Sequence, residues 1–502
     1  MSKALTDLIF KSDVVVGRGD IAISSIVIDS RQVTAGALFV ALKGEKVDGR
    51  NFISQAEQSG AVAVLCGVDD VIPETKMSVI RAMEPRRSLA HIAAEFYGKQ
   101  PAHMVAITGT DGKTSTADFY RQLLHLLGKN SASIGTLGVY GGAGEKLIEG
   151  THTTPDAVSL HKILAELVQK KVTHVALEAS SHGLHQYRLH GVKLRGAAFT
   201  NIARDHLDYH KTEDDYFAAK AMLFSEVLNE DGVAVINGDD VRADALVAIA
   251  ELRGSGVIIF GRWQEKWQGY TLLEVESITP HATGQHLRLY APKRIWNFIV
   301  EMEKNTLFEI DVPLVGAFQV MNILAAMGLA MAGGVNAQDI IAQIPKLQGV
   351  AGRMQHVARL KNGAAIYVDY AHTPMALSNI LTTIRAHTAG KLHVVFGCGG
   401  DRDTGKRPEM GKIASELADV ITVTDDNPRS EDPALIRKAI LTACPNGKDV
   451  ADRKDAIYAA VAALASGDVL VIAGKGHEKV QIVAGVEYPF DDVMVARAAA
   501  GE

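Results

Sequence analysis

MVAITGTDGKTST, residues 104–116, decides how this chain is read. It begins as a short apolar, β-branched run of strand length. It ends by opening the amphipathic stretch TADFYRQLLHLLG (116–128). A strand that breaks at glycines and enters a helix is the setting of a phosphate-binding loop. Gly109 and Gly112 let the backbone approach a polyphosphate, and amides at the helix N-terminus point at negative oxygens. Lys113 would reach the β/γ-phosphates and Thr114 would offer its hydroxyl to Mg2+. The loop is not the usual one. Only Thr110 and Asp111 separate the glycines, and Ile107 stands where the first glycine of the common motif would be. A glycine-rich turn with a surface lysine is the competing reading, and the strand–loop–helix context argues against it.

Outward from this loop, β-branched runs alternate with Ala/Leu-rich amphipathic stretches. THVALE (173–178), GAAFTN (196–201), GVAVING (232–238) and GVIIFG (256–261) read as buried parallel strands, with a helix at SLHKILAELVQKK (159–171). This alternation predicts an α/β fold with a mostly parallel sheet. Residues 265–313 alternate polar and apolar positions and are expected to be antiparallel strands of the same unit, followed by a helix over 322–334. A second α/β series has strands at AAIYVDYA (364–371), LHVVFG (392–397), DVITVTDD (419–426) and DVLVIAG (468–474). The N-terminal part reads as a smaller mixed unit, with strands near 24–30 and 37–42. The expected domains are 1–100, 101–346 and 347–502.

Composition narrows the function. The chain has 502 residues, 52 Lys plus Arg against 58 Asp plus Glu, a formal charge of -6 and 47% hydrophobic residues. It carries ample apolar surface to fold, and its charge repels nucleic acid. Cys66, Cys398 and Cys444 are odd in number and far apart, which excludes a disulfide framework and fits a reducing compartment. No apolar run reaches the ~20 residues of a membrane span. The expectation is a cytoplasmic protein that neither inserts in a membrane nor binds nucleic acid.

Two further clusters carry chemistry. In LEASSHGLHQYR (177–188), Glu178 ends a strand, where open α/β sheets bind ligands, and could hold Mg2+ beside Thr114. A strand-end cap built on Ser180 or Ser181 is the alternative. In TNIARDHLDYHKTEDDYFAAKAMLF (200–224), Lys220 falls on or beside the apolar face formed by Tyr216, Phe217 and Phe224. On the residues alone, a lysine snorkelling to water is the preferred reading.

Together GTDGKTST, LEASSHGLHQYR and TNIARDHLDYH…AAK resemble the Mur ligases, the ATP-dependent amide-bond-forming enzymes of peptidoglycan synthesis. DSR (29–31), GALFVALKGEKVDGR (36–50), THTTPDA (151–157), GAFQVMN (316–322), GVAGRMQ (349–355), VDYAHTP (368–374), GCGGDRDTGKRP (397–408), DDNPR (425–429) and GKGHE (474–478) follow in the family's order. The resemblance implies three domains: a small mixed N-terminal one, a central P-loop ATPase sheet and a Rossmann-like C-terminal one. It implies ATP as co-substrate and two Mg2+ ions. The γ-phosphate passes to a substrate carboxylate, and an amine then attacks the acyl phosphate. No enzyme nucleophile is needed, only positioning and charge neutralisation.

By the same resemblance, Gly109, Thr110, Asp111, Gly112, Lys113, Thr114 and Ser115 hold the triphosphate. Asn322 contacts adenine, and Arg353 and Asp369 the phosphate and ribose region, with His372 as a neighbour. Thr114 and Glu178 bind one magnesium. Glu178, His206 and a carbamylated Lys220 serve the second, which reverses the snorkelling reading. The nucleotide sugar UDP-MurNAc-L-Ala-D-Glu is met by Ser30, Glu45, Lys46 and Val47 at the uracil and ribose. Thr153, Thr154, Ser180, Gln186 and Arg188 meet its muramoyl-dipeptide and diphosphate. The amine is meso-diaminopimelate, held by Arg402, Asp426, Asn427, Pro428, Arg429, Gly474 and Glu478. Arg429 presents a planar fork suited to a carboxylate that lysine lacks. A salt bridge from Arg429 to Glu431 or Asp432 is the alternative. A family-typical enzyme would be a monomer.

The chain departs from the family pattern at Asp111 and Gln319, where Asn is usual. Three other functions compete: a sister ligase adding lysine, a folylpolyglutamate-type synthetase disfavoured by the DSR and DDNPR motifs, and a nucleotide-switched binding protein.

Overall fold

The computed structural model describes residues 2–44, 47–149, 152–203, 205, 207–281, 284–292, 306–350 and 352–502. The chain falls into two compact units. The first comprises residues 1–274, 292–305 and 322–340; the second, 275–291, 306–321 and 341–502.

The first unit holds two sheets. In the N-terminal one the strands lie in the order Val14–Val16, Ser78–Ala82, Ala63–Gly67, Ala37–Val40, Ser25–Val27, and all but the first pair are parallel. The larger sheet runs Lys146–Ile148, Gly138–Gly141, Ser131–Gly135, His174–Glu178, His103–Thr108, Leu194–Phe199, Leu228–Asn237, Gly256–Gly261, then the first residues of Thr271–His281. Its inner strands are parallel and buried on both faces, which is why their sequences are nearly continuous apolar runs. Met104, Ala106, Val175, Leu177, Ala197, Phe199, Ala234 and Ile236 share one face and one core. On the other face Gly196 and Gly328 permit close packing, since a Cβ at either would lie 3.1 Å from Leu329 or 2.6 Å from Val235. The N-terminal sheet and this sheet belong to the same unit.

The expected helices form at Lys113–Leu126, Ala157–Gln169 and Ala317–Ala332. Asp156 caps the second, accepting from the Val158 and Ser159 amides. The antiparallel expectation for 265–313 needs correction at its start. Thr271–Glu274 pair parallel to Ile258–Gly261, because residues 262–270 loop out rather than form a tight hairpin. Gly284–Ala291 and Thr306–Val312 are antiparallel as expected, but they lie in the second unit.

The second unit is built on the sheet Gln355–Arg359, Ala365–Asp369, Val469–Ala473, Leu392–Phe396, Val420–Val423, Lys448–Asp449, parallel except at its first pair. The helices Pro374–Arg385, Lys406–Leu417, Pro433–Leu441 and Arg453–Ala462 intervene, and Asp492–Ala500 closes the chain. The three cysteines are buried and free. Among the described residues, no helix is long and apolar enough to cross a membrane.

Candidate active site

The phosphate loop leaves the strand His103–Thr108 and enters the helix Lys113–Leu126. Gly109 and Gly112 have φ of +151° and +84°. A Cβ on Gly109 would lie 1.9 Å from Thr200 Oγ1, and one on Gly112 2.3 Å from Asn322 Oδ1. Backbone geometry and close approach therefore both call for glycine. Thr200 and Asn201, after the next strand, fasten the loop: Thr200 Oγ1 donates to Asp111 O at 2.6 Å, and the Asp111 amide donates to Asn201 Oδ1 at 3.0 Å. Asp111 is itself exposed, whereas Ser115 is buried.

Glu178 ends the neighbouring strand and is 3% exposed. Thr114 Oγ1 donates to its Oε2 at 3.0 Å, and the Thr136 amide donates to its Oε1 at 2.9 Å. Thr136 Oγ1 is within 3.2 Å of Oε2 and 3.0 Å of Thr153 Oγ1. Burial pushes the Glu178 carboxyl up, against the pull of Lys113 and of the threonine donors. The strand-end cap exists as well: Ser180 Oγ accepts from the Gly183 amide. Thr154 Oγ1 donates to Glu178 O at 2.8 Å and lies 3.0 Å from Ser180 Oγ. Arg188 binds Thr154 O at 2.7 Å and Gln186 Oε1 at 2.8 Å. Thr153, Thr154, Ser180, Gln186 and Arg188 thus join Glu178 and Thr114 in one network. Thr136, which ties its two halves together, was not legible: a single threonine after a strand carries no signal.

Lys220 does not snorkel. It is 1% exposed, its Nζ donates to Gly109 O at 2.7 Å and lies 4.2 Å from the centre of the Tyr216 ring. The helix Glu213–Met222 turns this residue inward beside Tyr216, and the phosphate loop covers its tip. Lys113 Nζ donates to the same carbonyl at 2.9 Å. Burial, with the Lys113 charge adding to it, pushes the Lys220 ammonium down to about 6.

Thr114 and Glu178 offer converging hard oxygens, a donor set that suits Mg2+. As an amine Lys220 is a poor magnesium ligand; as a carbamate it would supply oxygens. His206 lies outside the described residues, as do Glu45 and Lys46. Among the described residues no cluster of three or more His, Cys, Asp or Glu could hold a metal. Ser30 is buried, with its Oγ 3.2 Å from Gln55 Oε1, and Val47 is exposed.

The remaining expected residues lie in the second unit, at the C-terminal ends of its strands, where such sheets bind ligands. Asp369 accepts from the Met354 and Ala371 amides, each at 2.7 Å, while burial pushes its carboxyl up. Arg353 and His372 flank Tyr370, with Arg353 5.1 Å from the ring centre. Arg402 is exposed, while Asp426, Asn427 and Pro428 are buried. A Cβ on Gly474 (φ +118°) would lie 2.4 Å from Asp426 Oδ2. Asn427 Nδ2 donates to Glu478 Oε2 at 2.9 Å.

Arg429 is held at φ +53°, unusual for a side chain of this size. Its amide donates to Ile482 O at 3.0 Å and its Nη1 to Gly400 O at 2.8 Å. The alternative salt bridge is not formed. Glu431 pairs with Arg407 at 2.9 Å, and Asp432 caps the helix Pro433–Leu441.

Three family models match in order: Mur ligase family, catalytic domain over residues 22–97; Mur ligase middle domain over 107–330; and Mur ligase, glutamate ligase domain over 352–476. The chain is 48% identical over 474 residues to a UDP-N-acetylmuramoyl-L-alanyl-D-glutamate–2,6-diaminopimelate ligase of Brucella melitensis, covering 94% of this chain and 93% of that one. It is 47% identical over 500 residues to the ligase of that name from Caulobacter vibrioides, covering 98% of each. A solved structure of a ligase of the same name aligns over 100% of this chain and 99% of its own, with a TM-score of 0.75 and 31% identity. A folylpolyglutamate synthase from Mycobacterium tuberculosis shares the fold at a TM-score of 0.60 and 18% identity, over 83% of this chain and 95% of its own. Ordered motifs, joined site network and near-full-length relatives agree: the chain belongs to the Mur ligase family.

Proposed function

We propose that the protein joins meso-diaminopimelate to UDP-MurNAc-L-Ala-D-Glu at the expense of ATP, through an acyl phosphate, in peptidoglycan synthesis. The observation that carries this reading is the hydrogen-bonded chain from Thr114 through Glu178 and Thr136 to Thr153, Thr154 and Arg188. It links the phosphate loop to the residues assigned to the muramoyl-dipeptide and its diphosphate. Arg429 and the names of the relatives support the choice of amine.

In this reading residues 1–100 take the UDP-sugar through Ser30 and residues 45–47, 101–346 bind ATP, and 347–502 take the amino acid. Loop amides and Lys113 orient the γ-phosphate, with Asn322 at the base. Glu178 and Thr114 would hold one Mg2+, and Glu178, His206 and carbamylated Lys220 the other; bound there, magnesium would offset the repulsion between carboxylate and phosphate. Lys220 suits carbamylation because its depressed ammonium leaves a free amine at neutral pH. The amine nitrogen bonds to the carbon of CO2 and releases one proton. Arg429 binds the distal carboxylate of diaminopimelate and Glu478 the distal ammonium, which aims the other amine at the acyl phosphate. The protein acts as a monomer in the cytoplasm and supports cell shape and division through the wall.

The test supplies the nucleotide dipeptide, ATP and both candidate amines together, and resolves products by mass. The expected result is the diaminopimelate adduct, with one phosphate released per bond formed. A lysine adduct in excess, or phosphate release without any amine, refutes the proposal.

A further inference from the structure

Lys475 follows the strand Val469–Ala473 and has no exposed surface. A buried ammonium is costly unless its protons find acceptors. Its Nζ donates to Asn427 Oδ1 at 2.9 Å and to Glu478 Oε2 at 3.3 Å. Asn427 Oδ1 also accepts from the Ile482 amide at 3.0 Å, and Asn427 Nδ2 donates to Glu478 Oε2 at 2.9 Å. Two donors on the Asn427 oxygen leave its amide a single orientation. The Glu478 side chain is 31% exposed, and both of its bonds fall on Oε2. Among the described residues no hydrogen bond reaches its other oxygen. Beneath the group, Arg453 and Asp492 form a fully buried ion pair at 2.7 Å, and Arg453 Nη2 donates to Ala473 O at 3.0 Å, which anchors the end of the strand.

We infer that Lys475 is a positioning residue for the amine substrate: without touching it, Lys475 fixes the Asn427 amide and with it presets the Glu478 carboxylate to receive a second, distal ammonium. The inference rests on the diaminopimelate reading, because a substrate with one amine would leave the preset carboxylate unused. Without the Lys475 ammonium, Glu478 would lean on Asn427 alone, and Asn427 would lose one of the two donors that orient it. Held in one rotamer, the carboxylate loses little freedom on binding.

The experiment compares the full-length parent with Lys475→Met and Lys475→Gln. It measures KM for meso-diaminopimelate, KM for ATP, and KM for 2-aminopimelate, which keeps both carboxylates and lacks the distal amine. Lys475→Met is expected to raise KM for diaminopimelate about tenfold or more, the size of one loosened charge-assisted hydrogen bond. KM for ATP and for 2-aminopimelate should stay within about twofold of the parent. Lys475→Gln, which keeps a neutral donor toward Asn427, should fall between, and it carries the test if a melting scan shows the methionine variant unfolded. Equal increases for both amines, or no increase for diaminopimelate, overturn the inference. A parent that does not use diaminopimelate removes the underlying reading instead.

Discussion

Gly135 closes the strand Ser131–Gly135 directly against Glu178. A Cβ placed on it would lie 1.8 Å from Glu178 Oε1, 2.4 Å from Cδ and 2.7 Å from Cγ. The Gly135 backbone is outside the left-handed region, so alanine meets no dihedral penalty there and the whole effect falls on the carboxylate. An ordinary carbon–oxygen contact needs about 3.3 Å, so the carboxylate must withdraw about 1.5 Å. That movement breaks the bonds from the Thr136 amide at 2.9 Å and from Thr114 Oγ1 at 3.0 Å. A misplacement of about 1 Å at a reacting centre costs about 100-fold in rate, or about 2.7 kcal/mol. Gly135→Ala should therefore lower kcat about 100-fold, and it should also lower the melting temperature, because the buried carboxylate loses its hydrogen bonds. Thr136→Val removes the hydroxyl and keeps the amide, so its loss should be smaller, about fivefold. Product formation and phosphate release at saturating substrates measure both. A folded Gly135→Ala variant within about threefold of the parent rate would refute the role given to Glu178.

Arg429→Ala should raise KM for diaminopimelate about 30-fold or more while leaving KM for ATP unchanged; equal increases for both would contradict the assignment. Lys220→Arg keeps a long side chain but cannot be carbamylated, and should lose nearly all turnover while still binding nucleotide in a titration; retained turnover would exclude the carbamate. His161 is 1% exposed, with Nε2 3.1 Å from His190 O, and burial pushes it down to about 4. The unfolded chain titrates near 6.5 and so binds the proton first; stability present above that pH is lost as pH falls towards 4, by roughly 3 kcal/mol at most. Urea midpoints at pH 7 and pH 4.5 should differ less in His161→Gln than in the parent, and identical slopes would sink this account.

Much of the site was readable from local pattern. The phosphate loop, the strand-end Glu178 and the DDNPR turn each declare themselves through spacing and the ends of apolar runs. Lys220 was not readable in this way. On the residues alone it looks like a snorkelling lysine, because helical spacing cannot say whether another segment covers its tip; family resemblance reversed that reading. Gly109 O covers it, from a loop 111 residues earlier. The roles of Thr136, Thr200, Asn201 and Lys475 are not legible locally for the same reason, since each has a partner at least 42 residues away.

By itself the sequence determined the alternation of buried strands and amphipathic helices, the glycines that free the loop backbone, and the chemical types available to hold phosphate, metal and carboxylate. These follow from periodicity and side-chain chemistry, which are local. Only the tertiary structure decided that Gly135 presses on Glu178, that one carbonyl receives two lysines, that Arg429 is not taken up by Glu431, and that Lys475 is sealed beneath Asn427. Each of these depends on which distant segments pack together and on how much water that packing removes.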